Sequence, residues 1–412
     1  VTDEYDVVIA GAGAAGIAAG LRLAGSGLSF LIVEAAARVG GRAWTVKRDG
    51  MPLDLGCGWL HSGDRNPWTR VAGRIGAAID RTPPAWGRQY RDLGFPPDAQ
   101  RAAGAAYEAF HSRLRDDPPA SDRAADALDP ASPWNPYIDA LSGYMNGVGL
   151  AHLSVADFLA YERADTNVNW RLPGGYGALI ARAARELPIL LDTCVTGIDR
   201  QAARLRVSTP RGVLSTRAVI VALPTPILAR GDVALALDDK LHAASCLPLG
   251  LANKLFLAVD EAGDLPADGH LLGTPHRAET GSYYLRPFGR PVIEAFYGGS
   301  GAAALEDDGG RAMTAFAAEE LSALFGSDFP KRLRPLAASG WGSAPLSCGS
   351  YSHALPGHAD ARRALAAPVE DRLFFAGEAC SRDDFSTAHG AHATGTRAAE
   401  QALAALGSPA AA

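Results

Sequence analysis

Asp6-Val-Val-Ile-Ala10 passes directly into Gly11-Ala-Gly13-Ala-Ala15-Gly16, and the next apolar run, Leu28-Ser-Phe-Leu-Ile-Val33, ends on Glu34. The first run predicts a buried strand, residues 14–24 an alanine-rich helix, and residues 28–34 a second strand parallel to the first. Each glycine has a distinct task in such a unit. Gly11 permits the tight turn out of the strand, Gly13 lets the backbone approach a diphosphate at the positive helix end, and Gly16 allows helix and strand to pack closely. Ala15 lies in the first turn of that helix, facing the same anion. An acid about 20 residues past the glycine turn is placed to accept hydrogen bonds from ribose hydroxyls, the role read for Glu34. The unit predicts a dinucleotide-binding α/β fold, with nicotinamide and flavin dinucleotides both open at this point.

With 412 residues, 48% of them hydrophobic, the chain is long enough for two or three domains and a large core. Its net charge of -6 offers no basic surface for nucleic acid or an anionic membrane, which leaves small molecules as the expected partners. The cysteines Cys57, Cys194, Cys246, Cys348 and Cys380 are odd in number and lack CxxC spacing, against a disulfide framework or a zinc site. The opening Val1-Thr-Asp-Glu-Tyr-Asp has no basic leader, and no stretch is apolar over a bilayer's length. A cytoplasmic protein without a membrane anchor is the expectation, and a homodimer is compatible with it.

Helical patterns at residues 100–117 and 137–148, broken by Pro83, Pro96, Pro118 and Pro133, predict an inserted helical cap. A helix is expected at 176–187, short strands near 190–198, 205–208 and 218–222, further strands at 253–259 and 292–297, and a helix at 311–324. A strand at 373–375 leads into a closing helix at 390–406 and an alanine-rich tail. The expected division is a cofactor domain from residues 1–77, 171–240 and 342–412, and a substrate domain from 78–170 and 241–341.

The residues after the second strand separate the dinucleotides. Ala35 opens AAARVGGRAWT, in which a glycine turn brings Arg42 toward a diphosphate that its guanidinium suits. This Arg38-x-Gly40-Gly41-Arg42 loop resembles that of the flavin amine oxidases. The resemblance continues along the chain. Gly56-Cys57-Gly58-Trp59-Leu-His61, with Asn66-Pro67, is similar to the family segment beneath the isoalloxazine ring. Its Trp-x-His and Asn-Pro details look like polyamine oxidases. Relatives that oxidise amino acids carry an arginine where Gly58 and Trp59 stand, so an amino acid substrate is disfavoured. Residues 170–177, WRLPGGYG, and Thr193-Cys-Val195 match the family's return to the cofactor domain, with the Val195 backbone expected to face adenine. Lys254 falls where the family keeps a lysine that holds a water against flavin N5. Trp341 and Cys348-Gly-Ser350-Tyr351 are similar to the segment along the flavin's edge, with Tyr351 matching one of two aromatic residues that flank the substrate amine. The other aromatic position falls on Thr387. Mitochondrial-type monoamine oxidases bind FAD through a cysteine that aligns with Ser350, so noncovalent FAD is expected. Phe375-Ala-Gly377-Glu378 matches the turn toward the ribityl chain, with Glu378 holding a flavin-side hydroxyl or the pyrophosphate environment. Thr387-Ala388-His389-Gly390 opens the closing helix, whose dipole would point at the flavin pyrimidine.

The resemblance implies a Rossmann-type FAD domain joined to a mixed sheet-and-helix substrate domain. It also implies hydride removal from the carbon beside an unprotonated amine onto flavin N5, imine hydrolysis, and reoxidation by O2 to hydrogen peroxide. Lys254, Tyr351, His61, Trp59 and Thr387 are the expected catalytic residues. Two other readings stay open: a desaturase or oxidase of a non-amine substrate, and a demethylase-like subunit working through a protein partner. The class of amine and the physiological acceptor are also open.

Overall fold

Val7 to Ala10 are fully buried because both faces of their strand are covered, the pattern of a parallel sheet in an α/β unit. In the computed structural model, which describes residues 4–306 and 310–407, this strand, Glu4–Ala10, lies at the centre of a seven-stranded sheet. On one side it pairs in parallel with Phe30–Val33, which pairs with Ile189–Leu190. On the other it pairs in parallel with Gly212–Val221. That long strand serves two partners. Its first half pairs antiparallel with Leu205–Thr209, and its second half pairs parallel with Leu373–Phe375. Three distant stretches of chain therefore meet in one sheet. The outermost residues 1–3 and the alanine-rich tail, 408–412, lie outside the described residues.

Helices Ala14–Leu23 and Ala388–Leu406 pack side by side on one face of this sheet. Small side chains make the approach possible: a Cβ at Gly395 would collide with the Ala15 carbonyl oxygen.

A second, antiparallel sheet has the order Gly269–Leu272, Ser282–Leu285, Val292–Gly298, Ala252–Val259, Leu333–Ala338. Its strands alternate, as a sheet with two unlike faces requires. Leu255, Leu257, Ile293, Ala295 and Tyr283 face a core shared with Met313, Ala317 and Leu321 of helix Gly310–Phe325. The opposite face carries Lys254, Phe256, Glu294, Phe296 and Tyr284. Helices Pro97–Asp116, Asn135–Asn146 and Val155–Ala164 supply a separate core around Phe110, Leu114, Ile138 and Phe158. Among the described residues no helix is long and apolar enough to cross a membrane.

Several boundaries differ from expectation for local reasons. The helix expected over 137–148 stops at Asn146 because Gly147 takes a left-handed conformation, φ 70°. The one expected over 176–187 is Tyr176–Ala183. Residues 191–196 are not strand, which breaks the expected 190–198 segment into Ile189–Leu190 and Gly197–Asp199.

A buried ion pair ties the helical layer to the C-terminal segment. Arg362 meets Asp157 twice, Nε to Oδ1 at 2.5 Å and Nη2 to Oδ2 at 2.7 Å, with both side chains only 1% exposed. Arg362 also donates to Ser352 Oγ at 2.9 Å and sits 3.7 Å from the Phe385 ring centroid.

Candidate active site

Anion binding at a helix start needs N–H groups that nothing else occupies. Helix Ala14–Leu23 begins at Gly13 with no side-chain cap and no acid in its first turn, and no atom lies within 4 Å of where a Gly13 Cβ would stand. The amides of Ala15 and Gly16 in its first turn donate to no acceptor among the described residues, the condition a diphosphate would meet there. Gly11 turns the chain with φ 102°, and a Cβ on Gly16 would collide with the Gly11 carbonyl oxygen. Gly16→Ala is thus expected to push the helix off the turn, costing about 1–3 kcal/mol and most of the FAD. Comparing FAD content and melting temperature with the parent checks this, and a fully loaded, equally stable variant would refute it.

Glu34 is fixed at its strand end by two backbone amides, Ala12 N–H to Oε2 at 2.6 Å and Ala36 N–H to Oε1 at 2.8 Å. Ala35 lies between these contacts, and Thr193 N–H donates to the Glu34 carbonyl, which brings Val195 alongside. Gly40 N–H donates to Ala12 O at 2.8 Å, docking the glycine loop and Gly41 against the first turn. Arg42 Nη1 donates to Ser350 O and to Glu378 Oε1, both at 2.8 Å. Glu378 also accepts from Ser352 Oγ at 2.6 Å and Ser386 N at 2.8 Å. Burial pushes this carboxyl's pKa up, but the Arg42 charge and the Ser352 hydrogen bond more than offset it, so the net shift is downward. Glu378 is thereby tied to Arg42 of the glycine loop. Gly377, φ 136°, is held by its N–H to Thr394 Oγ1 at 3.0 Å. An uncapped helix start, a strand-end carboxylate and an arginine at the glycine loop form a donor set that fits FAD.

Past Arg42 the chain runs through Gly56, packed on the Arg42 carbonyl, and Trp341 Nε1 donates to Leu55 O at 2.9 Å. A Cβ on Gly58 would lie 3.0 Å from Lys254 Nζ, so the lysine of the second sheet reaches the segment that follows strand Met51–Asp54. Lys254 Nζ pairs with Glu294 Oε1 at 2.7 Å. Burial alone would pull this ammonium's pKa down, but the Glu294 charge and hydrogen bond, with Asp54 behind them, raise it above the ordinary lysine value. Asp54 is itself committed to the start of helix Tyr176–Ala183, accepting from Tyr176 N at 2.9 Å, and burial pushes it up. Burial and Asp54 push the Cys57 thiol up to about 12, so it is neutral.

Trp59 stands at the centre of an aromatic group, 4.5 Å from the Trp86 ring and edge-on to Tyr284 at 5.9 Å. Arg171, clamped by Asp80 at 2.5 Å and Asp268 at 2.9 Å, lies 5.1 Å from both Trp59 and Tyr284. His61 Nδ1 is 2.7 Å from Asn169 Oδ1. The amide oxygen accepts, so Nδ1 carries the hydrogen and Nε2 keeps its lone pair. Burial pushes the His61 pKa down, against the Asn169 hydrogen bond, and the ring is neutral at physiological pH.

Tyr351 Oη donates to Tyr144 O at 2.5 Å. Thr387 caps helix Ala388–Leu406: its hydroxyl accepts from Gly390 N at 3.0 Å and donates to Asp384 O at 2.6 Å. Ala388 O accepts from Trp68 Nε1 at 2.9 Å. Glu294, Tyr284 and Arg171 join the site without having been expected there. The signal for Glu294 is a lone carboxylate inside the apolar run Val292-Ile-Glu-Ala-Phe296.

Residues 14–403 match the family model described as flavin containing amine oxidoreductase. The chain is 28% identical to polyamine oxidase 2 of Arabidopsis thaliana over 443 aligned positions, covering 97% of this chain and 88% of that protein. Its fold is similar to a solved structure of wild-type putrescine oxidase bound to putrescine, with a TM-score of 0.80 at 19% identity over 98% of this chain and 100% of that one. It is likewise similar to cyclohexylamine oxidase from Brevibacterium oxydans IH-35A, with a TM-score of 0.78 at 19% identity, covering 98% and 99% of the two chains. The chain belongs to the flavin containing amine oxidoreductases and is an FAD-dependent enzyme of that family.

Proposed function

We propose that this enzyme oxidises a small amine at the carbon next to nitrogen, with O2 as acceptor, and that the imine product hydrolyses to an aldehyde or ketone. FAD, when bound, would supply the two-electron acceptor for that hydride, with O2 taking the electrons on to hydrogen peroxide. The observation that carries this reading is the meeting of buried Lys254 with Gly58, on the segment expected beneath the flavin ring. The chain's own residues orient and desolvate the amine. Trp59, Tyr284 and Tyr351 make an apolar surround that disfavours the ammonium form, and an amine must shed its proton before its carbon can give up a hydride. His61 Nε2 accepts a hydrogen bond from the amine, and the Tyr284 hydroxyl, buried without a protein partner among the described residues, offers a second polar contact. The cofactor domain of residues 1–77, 171–240 and 342–412 and the substrate domain of 78–170 and 241–341 are part of the proposal.

Noncovalent attachment of FAD is supported by Ser350, whose buried hydroxyl accepts from Ala252 N and donates to Ala252 O, each at 2.8 Å. Anaerobic mixing of the yellow protein with polyamines, aromatic monoamines, cyclic amines and amino acids tests the whole reading. One amine class is expected to bleach the flavin absorbance, which air then restores with peroxide. Failure of every amine would shift the assignment to a non-amine substrate, and bleaching that air does not reverse would remove O2 as acceptor.

A further inference from the structure

The face of the antiparallel sheet that carries Lys254 also holds a carboxylate, to which the proposed reaction assigns no task. Glu294 stands opposite Phe256 on one neighbouring strand and opposite Tyr284 on the other. Lys254 lies two residues from Phe256 along the same face, so the Glu294–Lys254 contact is a diagonal cross-strand pair. The separation is 2.7 Å, with side chains 21% and 9% exposed respectively.

The other titratable groups around the lysine do not replace this partner. Asp54, from strand Met51–Asp54, accepts the amides of Tyr176 and Gly177 and the Thr45 hydroxyl. The Cys57 thiol is neutral, and the His61 ring is neutral and adds no counter-charge. Tyr284, beside Glu294, is a neutral phenol. A lysine this buried loses its charge unless a close anion holds it.

We propose that Glu294 is a positioning residue of the enzyme: it anchors the Lys254 ammonium above Gly58 and keeps a fixed positive charge beside the flavin ring. The proposal rests on the reading that FAD lies along Gly56–Gly58. A cation fixed there favours negative charge arriving on the ring and on the O2 that takes up two electrons and two protons to become hydrogen peroxide. Removing Glu294 leaves Lys254 in the same buried place without its hydrogen-bonded counter-charge, with Asp54 acting only from behind.

The test uses holoenzyme and needs no amine. Bound FAD in the wild type, Glu294→Gln, Glu294→Asp, Lys254→Met and the double variant is titrated for midpoint potential between about pH 6 and 10, below the ordinary lysine value. Each protein is also reduced with dithionite and mixed with air-saturated buffer. Glu294→Gln is expected to show a new inflection below the ordinary lysine value, above which its potential falls to that of Lys254→Met. Above that inflection its reoxidation should slow by about 10- to 100-fold. Glu294→Asp should restore most of the rate. The double variant should be no slower than Lys254→Met alone, because the two residues act as one unit. A potential curve for Glu294→Gln that overlays the wild type, or additive losses in the double variant, overturns the proposal. If Glu294→Gln fails to retain FAD, Glu294→Asp decides: a smaller shift in the same direction supports the proposal, and none overturns it. Because dithionite supplies the electrons, the result stands apart from whether any amine bleaches the flavin.

Discussion

Lys254→Met should slow flavin reduction by amine, reoxidation by O2, or both, by about 100- to 1000-fold, while the protein remains yellow. Methionine keeps the length and apolar stem of the side chain, so the sheet face stays packed. What disappears is a charge held in a nearly dry site, where such charges have their largest effect on a reaction. Lys254 is 7% exposed and pairs with Glu294 across the strands, away from the glycine turn and Glu34, so FAD content should be unchanged. Rapid-mixing measurements separate the two half-reactions. Unchanged rates in both would remove Lys254 from the chemistry.

Arg362→Leu should produce the largest loss of stability. The substitution strands the Asp157 carboxylate, 1% exposed, with the Ala354 amide as its remaining hydrogen-bond donor among the described residues. Leaving one charge of a buried pair uncompensated costs about 3–5 kcal/mol. For a protein of this size the melting temperature should drop by roughly 3–6 °C. Replacing Asp157 by leucine as well should recover part of that loss, since the stranded charge is then gone. Thermal unfolding of both variants is the measurement, and a single variant that melts with the parent would show that the pair contributes nothing. FAD affinity should fall too, because Arg362 also holds Ser352, which in turn hydrogen-bonds Glu378.

These two sites differ in how far the sequence discloses them. The dinucleotide cradle is legible because its logic is local: Gly11, Gly13 and Gly16 fall within six residues, and Glu34 ends the very next strand. Lys254 is recognisable only through a family likeness, and Glu294, forty residues later, belongs to a pairing that no local pattern encodes. Strands Gly269–Leu272 and Ser282–Leu285 are hidden because four residues show too little alternation to stand out. Arg362 sits in Ala-Asp-Ala-Arg-Arg, which reads as a solvated helix turn, yet tertiary packing buries it completely. Arg171 reads only as part of a return segment. Its place between Asp80, Asp268 and two aromatic rings depends on chain segments 91 residues before it and 97 residues after it.

The central strand Glu4–Ala10 finds its partner in Gly212–Val221, and that partner finds Leu373–Phe375. During synthesis, therefore, the glycine turn leaves the ribosome long before the helix Ala388–Leu406 that covers its neighbour exists. Contacts between such distant residues form slowly and late. Until then the apolar side of helix Ala14–Leu23 lacks its cover, and the nascent chain is open to aggregation or chaperone capture. The helix Ala388–Leu406 is thus more than a wall of the cofactor domain: its docking beside Ala14–Leu23 is what ends the exposure of that apolar side.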